Sequence, residues 1–374
     1  IDDFQKRSLV QEARFRAIKH LGVIAHKHNA QFIIVAGDLF DSPSPSQAVV
    51  AQTCATIGQL KLPTYVIPGN HDHAGPDSLW NTPFFKREHE KLAPNLHLLL
   101  TPEPLEIETA ILFPCPLIRR HETSDLSLWL RNYDFSQLQS AQEKPRIVIA
   151  HGTIIDFQAN PAEEEDIFSS GSANYLDIKR LPDTDFDYIA LGDWHGFKQI
   201  TPKAWYAGTP EPDRFAKSDE NQPGHCLIVQ AQRSHSPIVQ PIPSQQLEWH
   251  QLAFHFSADS DLLRFQETLN TLIANRAQED LLRLELSGSL GIDASHQLDQ
   301  LLESLTARLL RLKLRNTTRI APTESELQTL TERSQDPLIA LVAKRLLEKV
   351  YAQNDDSYVA ELALRELYAA TLVH

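Results

Sequence analysis

Four short polar motifs, each placed directly after an apolar run, constrain this chain more than any other feature: Gly37-Asp38-Leu39-Phe40-Asp41, Gly69-Asn70-His71-Asp72, His151-Gly152 and Gly192-Asp193-Trp194-His195-Gly196. The preceding runs, 31–36, 64–67, 146–150 and 188–191, are short and rich in Ile, Val and Tyr, the composition of strands buried in a sheet. Helical periodicity fills 47–60 between the first two, so strand, helix and strand read as the βαβ unit of a parallel sheet. In such sheets ligand sites lie outside the carboxyl ends of the strands. Residues distant in sequence are therefore expected to meet at one edge. A single Gly-Asp or Gly-His pair is ordinarily just a turn that ends a strand; four in the same relative position ask for another explanation.

An opening helix is expected from Val10, Ala13, Ala17, Leu21 and Ile24, which share one face, with Asn29 at its end. Another strand is expected at 110–113. After Gly196 the texture changes to short strands at 204–207, 225–229 and 238–241, and the stretch 240–246, with Pro241 and Pro243, reads as a linker. Beyond it the pattern predicts a strand near Trp249, a helix over 261–274, a strand at 281–286, a helix through 298–305 and a strand at 309–314. Two amphipathic helices close the chain, marked by Leu338, Val342, Leu346 and Val350 and by Val359, Ala363 and Leu367. The expected division is a first domain over 1–243 and a smaller α/β domain over 244–374.

The donor types at the strand ends are carboxylate, amide oxygen and imidazole, without thiolate. That mix suits a divalent Mn, Fe or Zn centre better than a structural zinc site. Neighbouring glycines let the backbone turn sharply and approach an ion.

On these motifs the sequence resembles the calcineurin-like metallophosphoesterases, whose pattern runs Asp-x-His, Gly-Asp-x-x-Asp, Gly-Asn-His-Asp/Glu, His and Gly-His-x-His. It is most similar to the SbcD-type DNA repair nuclease branch, through the Gly-Asp-Leu-Phe-Asp form and the stretch Trp205-Tyr206-Ala207-Gly208-Thr209-Pro210-Glu211. The resemblance covers roughly residues 5–230. It implies a four-layer β-sandwich flanked by helices, with a C-terminal α/β cap, and a site for two divalent ions, Mn first and Mg, Fe or Zn as alternatives. By the same resemblance Asp38 bridges the ions, His195 completes the first, and Asn70 and His151 bind the second. His71 acts as an acid or phosphate-stabilising imidazole and Asp72 orients it. The implied activity is phosphodiester cleavage in DNA by metal-activated water, with an SMC-like ATPase as a partner and a homodimer as one oligomeric alternative. Two other functions stay open: a phosphatase or phosphodiesterase for a small molecule, and a binding subunit with a weakened site that docks such an ATPase.

Two departures bear on this. Asp193 stands where the family has histidine; a carboxylate there favours a harder ion such as Mn or Mg, or turns away and weakens the second site. The Asp-x-His motif is missing. The chain opens at Ile1 and contains no methionine, whereas average usage would supply several in this length. The expectation is that segments of the natural protein, that motif among them, are not in this sequence.

Composition narrows the class without choosing a substrate. At 374 residues, with 42% apolar and 22% charged residues, the chain has the profile of a globular protein. No run approaches a membrane span, so no membrane partner is expected. The cysteines Cys54, Cys115 and Cys226 lack paired spacing, which favours a reducing cytoplasm. The net charge of −14 excludes a surface coated with lysine but not a local cationic track. One candidate is the alternation of Arg311, Lys313 and Arg315 with Leu310, Leu312 and Leu314, which puts the cations on one strand face. It is either a guarded sheet edge or a seat for nucleic-acid backbone. His73, His121 and His225 read as structural or surface residues, Trp194 as packing beneath the site, and 163–166 as a solvated acidic loop.

Overall fold

The structure is a computed structural model and describes residues 3–141, 143–154, 174–216, 222–274, 276–321, 323–333, 335–352 and 356–372. The chain divides into two compact units, one of Gln11–Gln246 and one of Ile1–Val10 with Leu247–His374. The opening helix, α1 (Phe4–Lys27), contributes to both. Its first turns belong with the C-terminal unit, where Lys6 Nζ donates to the Thr306 carbonyl at 2.7 Å.

In the Gln11–Gln246 unit, β1 (Ile33–Ala36) leads through α2 (Gln47–Leu60) into β2 (Thr64–Ile67), and α3 (Pro83–Leu92) leads into β3 (Leu96–Leu98). The three strands form a parallel sheet in that order. Local chemistry sets the helix limits. Ser46 caps α2 by accepting from Val49 N, Lys61 ends it in a left-handed conformation, and α3 has Thr82 as its cap with proline at its first position. The strands β4 (Leu105–Glu106), β5 (Ile111–Cys115), β6 (Arg146–His151), β9 (Tyr188–Gly192), β10 (Lys198–Gln199) and β11 (Ala204–Tyr206) form a second sheet, with the pair β7 (Thr153–Ile154) and β8 (Tyr175–Leu176) between β6 and β9 in the chain. Its order is β10-β11-β9-β6-β5-β4, parallel from β11 to β5 and antiparallel at both edges. Tyr65 and Ile67 of the first sheet share one buried cluster with Leu112, Ile147, Ile149 and Ala190 of the second. The opposite face of the first sheet packs on α2 and α3 through Val50, Ile57 and Phe85, with Trp80 from the turn before α3. These contacts bring the carboxyl ends of β1, β2, β6 and β9 together.

The expected linker at 240–246 is corrected in part. Its first half belongs to β13 (Ile238–Pro243), which pairs antiparallel with β12 (His225–Gln230), Pro241 opposite Leu227 and Pro243 opposite His225. A two-stranded ribbon has a free edge on each strand, so proline costs it no ladder bond there.

The C-terminal unit is a parallel run: β14 (Glu248–Phe256), α5 (Asp261–Ile273), β15 (Asp280–Leu290), α6 (Ile292–Arg308) and β16 (Arg311–Asn316), with β17 (Arg319–Ile320) pairing the end of β15. One sheet face supplies Phe256, Leu282, Leu284 and Leu286 to a core shared with α5 and α6. Arg311, Lys313 and Arg315 are exposed on β16, an edge strand, and form no ion pair with a described residue. Then come α7 (Glu324–Thr331), α8 (Pro337–Tyr351) and α9 (Ser357–Leu372), gathered on Ile292, Leu330, Ala343 and Leu364. Sequence periodicity missed α7, although its Thr323/Glu326 capping box was legible as Thr-x-x-Glu.

Candidate metal centre

Four of the sequence-derived site residues meet around one ring nitrogen. His151, at the end of β6, is 1% exposed. Its Nδ1 lies 2.8 Å from the Ala36 carbonyl at the end of β1. A carbonyl only accepts, so the proton of this imidazole sits on Nδ1 and Nε2 turns the other way. Facing Nε2 are Asn70 Oδ1 at 3.1 Å, Asp38 Oδ2 at 3.4 Å and Asp193 Oδ1 at 3.6 Å. A lone pair aimed at three oxygens is repulsive unless a positive charge stands between them. Within the chain's own groups a second proton on the ring supplies it. Burial alone pushes the imidazole down, but the Asp38 charge and the hydrogen bonds to Asp193 and Asp38 outweigh burial and hold its proton affinity well above the ordinary range. Asp38 shows the converse: burial raises it, and the His151 charge, the bond to His151 and the His71 N–H bring it below the usual value.

The backbone is strained where these carboxylates stand. Asp38 has φ 54° and Asp193 φ 98°, a region L-residues avoid. Close approach requires glycine beside them: a Cβ on Gly69 would lie 2.2 Å from Asp38 Oδ1, and one on Gly192 would lie 1.8 Å from the Ala36 carbonyl. The motif glycines therefore let β1, β2 and β9 approach closely enough for the donors to meet.

The donor set fits a divalent cation. A metal-ligating histidine characteristically donates its other N–H to a backbone carbonyl or carboxylate, which His151 does with Ala36. Two ligands sharing an ion at about 2.0–2.2 Å lie about 3.0–3.5 Å apart, close to the separations around Nε2. The three titratable members do not, as placed, close on a single point: among the described residues no group of three or more His, Cys, Asp or Glu is arranged to hold an ion. The amide oxygen of Asn70 lies outside that count.

His195 has a different neighbour. Its Nδ1 meets Asp213 Oδ1 at 3.0 Å, and Asp213 also accepts from Arg214. Burial raises the Asp213 carboxyl, but His195 and Arg214 carry it well below the usual range. Nothing in the sequence singled out Asp213, which follows Pro210-Glu211-Pro212 with no motif spacing. The site residues Asp72 and His71 are also paired differently from the expectation. Among the described residues the Asp72 carboxylate makes no hydrogen bond to the His71 side chain. It is buried, and its carboxylate accepts from Gly69 N at 2.7 Å and Phe40 N at 3.1 Å, so it ties the β1 and β2 loops together. Burial, partly offset by the Gly69 N–H, pushes it up to about 6. His71 is exposed; its N–H donates to Asp38 Oδ1 at 2.9 Å and its Nδ1 lies 3.0 Å from the Asp41 carbonyl. Arg14 of α1 pairs with the Asp41 carboxylate. Tyr206, in the Trp205–Glu211 stretch, donates to the Gly152 carbonyl at 2.7 Å and so braces the turn after His151. Trp194 packs half-buried against the core beneath β9, and His225 is half-buried against Phe197. The acidic stretch 163–166 lies outside the described residues.

A two-sheet α/β unit with oxygen and imidazole donors at its strand ends is the scaffold of a metal-dependent phosphoesterase. The family model for calcineurin-like phosphoesterases matches residues 10–197, and the chain belongs to that family. Calcineurin-like phosphoesterases use a pair of divalent metal ions. The chain is 28% identical over 189 residues to the D subunit of the nuclease SbcCD of Staphylococcus epidermidis, covering 45% of this chain and 47% of that protein. It is 33% identical over 69 residues to the uncharacterized metallophosphoesterase YhaO of Bacillus subtilis, covering 18% of this chain and 17% of that one. The chain thus spans less than half the length of each of these relatives. Among solved structures, TT1561 of Thermus thermophilus aligns at 14% identity with a TM-score of 0.38, over 61% of this chain and 93% of that one. Among the described residues no helix is long and apolar enough to cross a membrane.

Proposed function

We propose that this chain is a metal-dependent phosphodiesterase that cleaves DNA, with the sandwich domain (1–243 by sequence) carrying the chemistry and the α/β cap (244–374) serving substrate or an SMC-like ATPase. The carrying observation is the gathering of Asp38, Asn70 and Asp193 around His151 Nε2, a site with more negative charge than its own residues neutralise. The likeness to a protein named as part of a nuclease supports DNA as substrate. Asp38, Asn70, His151, Asp193 and His195 would hold the two ions. The oxygen-rich donors favour Mn. Bound there, the ions supply Lewis acidity toward a phosphoryl oxygen and toward water. His71, exposed beside Asp38, would give a proton to the leaving oxygen or steady the phosphate. Asp72 acts by holding the two loops that carry Asp38 and His71, which makes it a positioning residue.

The test pairs two substrates on Mn-loaded protein. Cleavage of a labelled oligonucleotide together with an aryl phosphodiester supports the reading. Turnover of the aryl substrate with an intact oligonucleotide would give the site to a small molecule, and no turnover of either would leave a docking protein.

A further inference from the structure

The opening helix is charged against the trend of the chain. Across Phe4–Lys27 it carries Lys6, Arg7, Arg14, Arg16, Lys19 and Lys27 against the single acid Glu12, in a chain of net charge −14. Within the Gln11–Gln246 unit, Arg16, Lys19, His20 and Val23 line an open groove of about 320 Å³ with Gln246. Positions 16, 19, 20, 23 and 27 recur on one helical face. Ala13, Ala17 and Ile24 bury the face that packs inward.

The groove cations are uncommitted, and their neighbours are fixed. Arg16 and Lys19 are exposed, and neither forms an ion pair with a described residue. Glu12 reaches toward Gln52 Nε2 at 3.4 Å, which turns the helix's one carboxylate to α2. Gln246 is anchored through its N–H to Glu211 Oε2 at 2.5 Å. Its side-chain amide donates to the Ser244 carbonyl at 2.9 Å, and His20 Nδ1 lies 3.0 Å from that amide nitrogen and 3.2 Å from the Ser244 carbonyl. The His20 ring is thus set by two polar groups of the 244–246 segment. Val23, 63% exposed, adds an apolar rim.

We propose that this α1 groove seats the phosphodiester backbone of a polynucleotide. The proposal rests on the reading of the chain as a DNA-cleaving enzyme. The cations continue along the helix beyond the groove: exposed Lys27, on the same face, lies about 16 Å from Arg16 at 1.5 Å per residue, the reach of several successive phosphates and not of one. The same helix holds the loop of His71, because Arg14 pairs with Asp41 and the Asp41 carbonyl faces His71 Nδ1. A strand seated on α1 therefore touches an element that is tied directly to the candidate centre.

The test is fluorescence anisotropy of a labelled duplex against salt, on the full chain, for wild type, Arg16→Gln/Lys19→Gln and Lys19→Glu. Each backbone contact contributes about 0.7–0.9 to the slope of log affinity against log salt. The double variant is expected to flatten that slope by about 1.4–1.8, Lys19→Glu to weaken binding at low salt, and both to hydrolyse an aryl phosphodiester at the wild-type rate. Unchanged slopes and affinities in both variants, with salt-dependent binding by wild type, would overturn the groove and leave the DNA reading standing. Loss of aryl phosphodiester turnover along with binding would overturn it too, since α1 would then be acting through the centre. Wild type with no salt-dependent affinity would remove the DNA reading and the groove with it.

Discussion

Each unit sets a histidine against an aspartate, and the two arrangements balance charge in opposite ways. In the C-terminal unit Asp280, 1% exposed, accepts from His250 Nε2 at 2.8 Å and from Arg276 at 2.6 Å and 3.1 Å. One carboxylate meets a permanent guanidinium, so the cluster is complete. Burial raises Asp280, but Arg276 and His250 outweigh burial and hold it below the usual value. In the Gln11–Gln246 unit two carboxylates and an amide oxygen crowd one imidazole, with no arginine or lysine paired to Asp38 or Asp193 among the described residues. The first is a structural ion pair. The second asks for a cation. The strand ends repeat the contrast: Asp259 after β14, together with Glu326 of α7, accepts from the N–H groups of Gly291 and Asp293 at the start of α6, whereas Asp38 and Asp193 turn toward a common centre.

The comparison breaks most visibly at Asp38. Asp38→Asn or His151→Asn should reduce aryl phosphodiester hydrolysis to background and lower bound Mn together, as read by turnover and metal analysis. Full metal content in either variant would mean that the cluster is structural, like its C-terminal counterpart. His71→Ala should lower turnover by about 10²–10⁴, the scale of a lost proton donor, with metal content near wild type; equal metal loss would make His71 a ligand.

Asp280→Asn tests the other side of the comparison. Removing one partner of a buried pair costs about 3–5 kcal/mol; Arg276 is partly exposed and can rehydrate, which points to the lower end, about 3 kcal/mol in urea unfolding. The pH dependence has a definite sign. A carboxyl held below its ordinary value stabilises the fold above that value, near 3.8, and the contribution disappears as pH falls through the folded one. The gap between wild type and variant should thus be full at pH 7 and close below about pH 4, with aryl phosphodiester turnover at neutral pH unaffected while the protein is folded. A smaller effect is expected from Arg311→Gln/Lys313→Gln/Arg315→Gln: if the exposed face of β16 meets nucleic acid, the salt slope of DNA binding flattens by about 2.1–2.7 and small-substrate turnover stays constant. An unchanged slope makes the stripe an edge guard only.

Much of this molecule was legible locally. The limits of α2 at Gln47–Leu60 and of β2 at Thr64–Ile67 follow from apolar period and caps, and the Gly-flanked donors were recognisable because each ends a strand. What periodicity does not encode is the partner of each group. The Ala36 carbonyl that sets the tautomer of His151 is 115 positions away from it. Asp213 reaches His195 from 18 positions further along the chain, with no shared pattern. Asp72 looks like a companion of His71 by adjacency, yet its side chain points to Gly69 N and Phe40 N. Sequence by itself determined the strands that carry the donors, the order of those donors and the family, because those depend on near neighbours and side-chain type. Tertiary structure alone decided which carboxylates lack a fixed cation, because charge balance is a property of distances through space, and only the packing of β1, β2, β6 and β9 sets them.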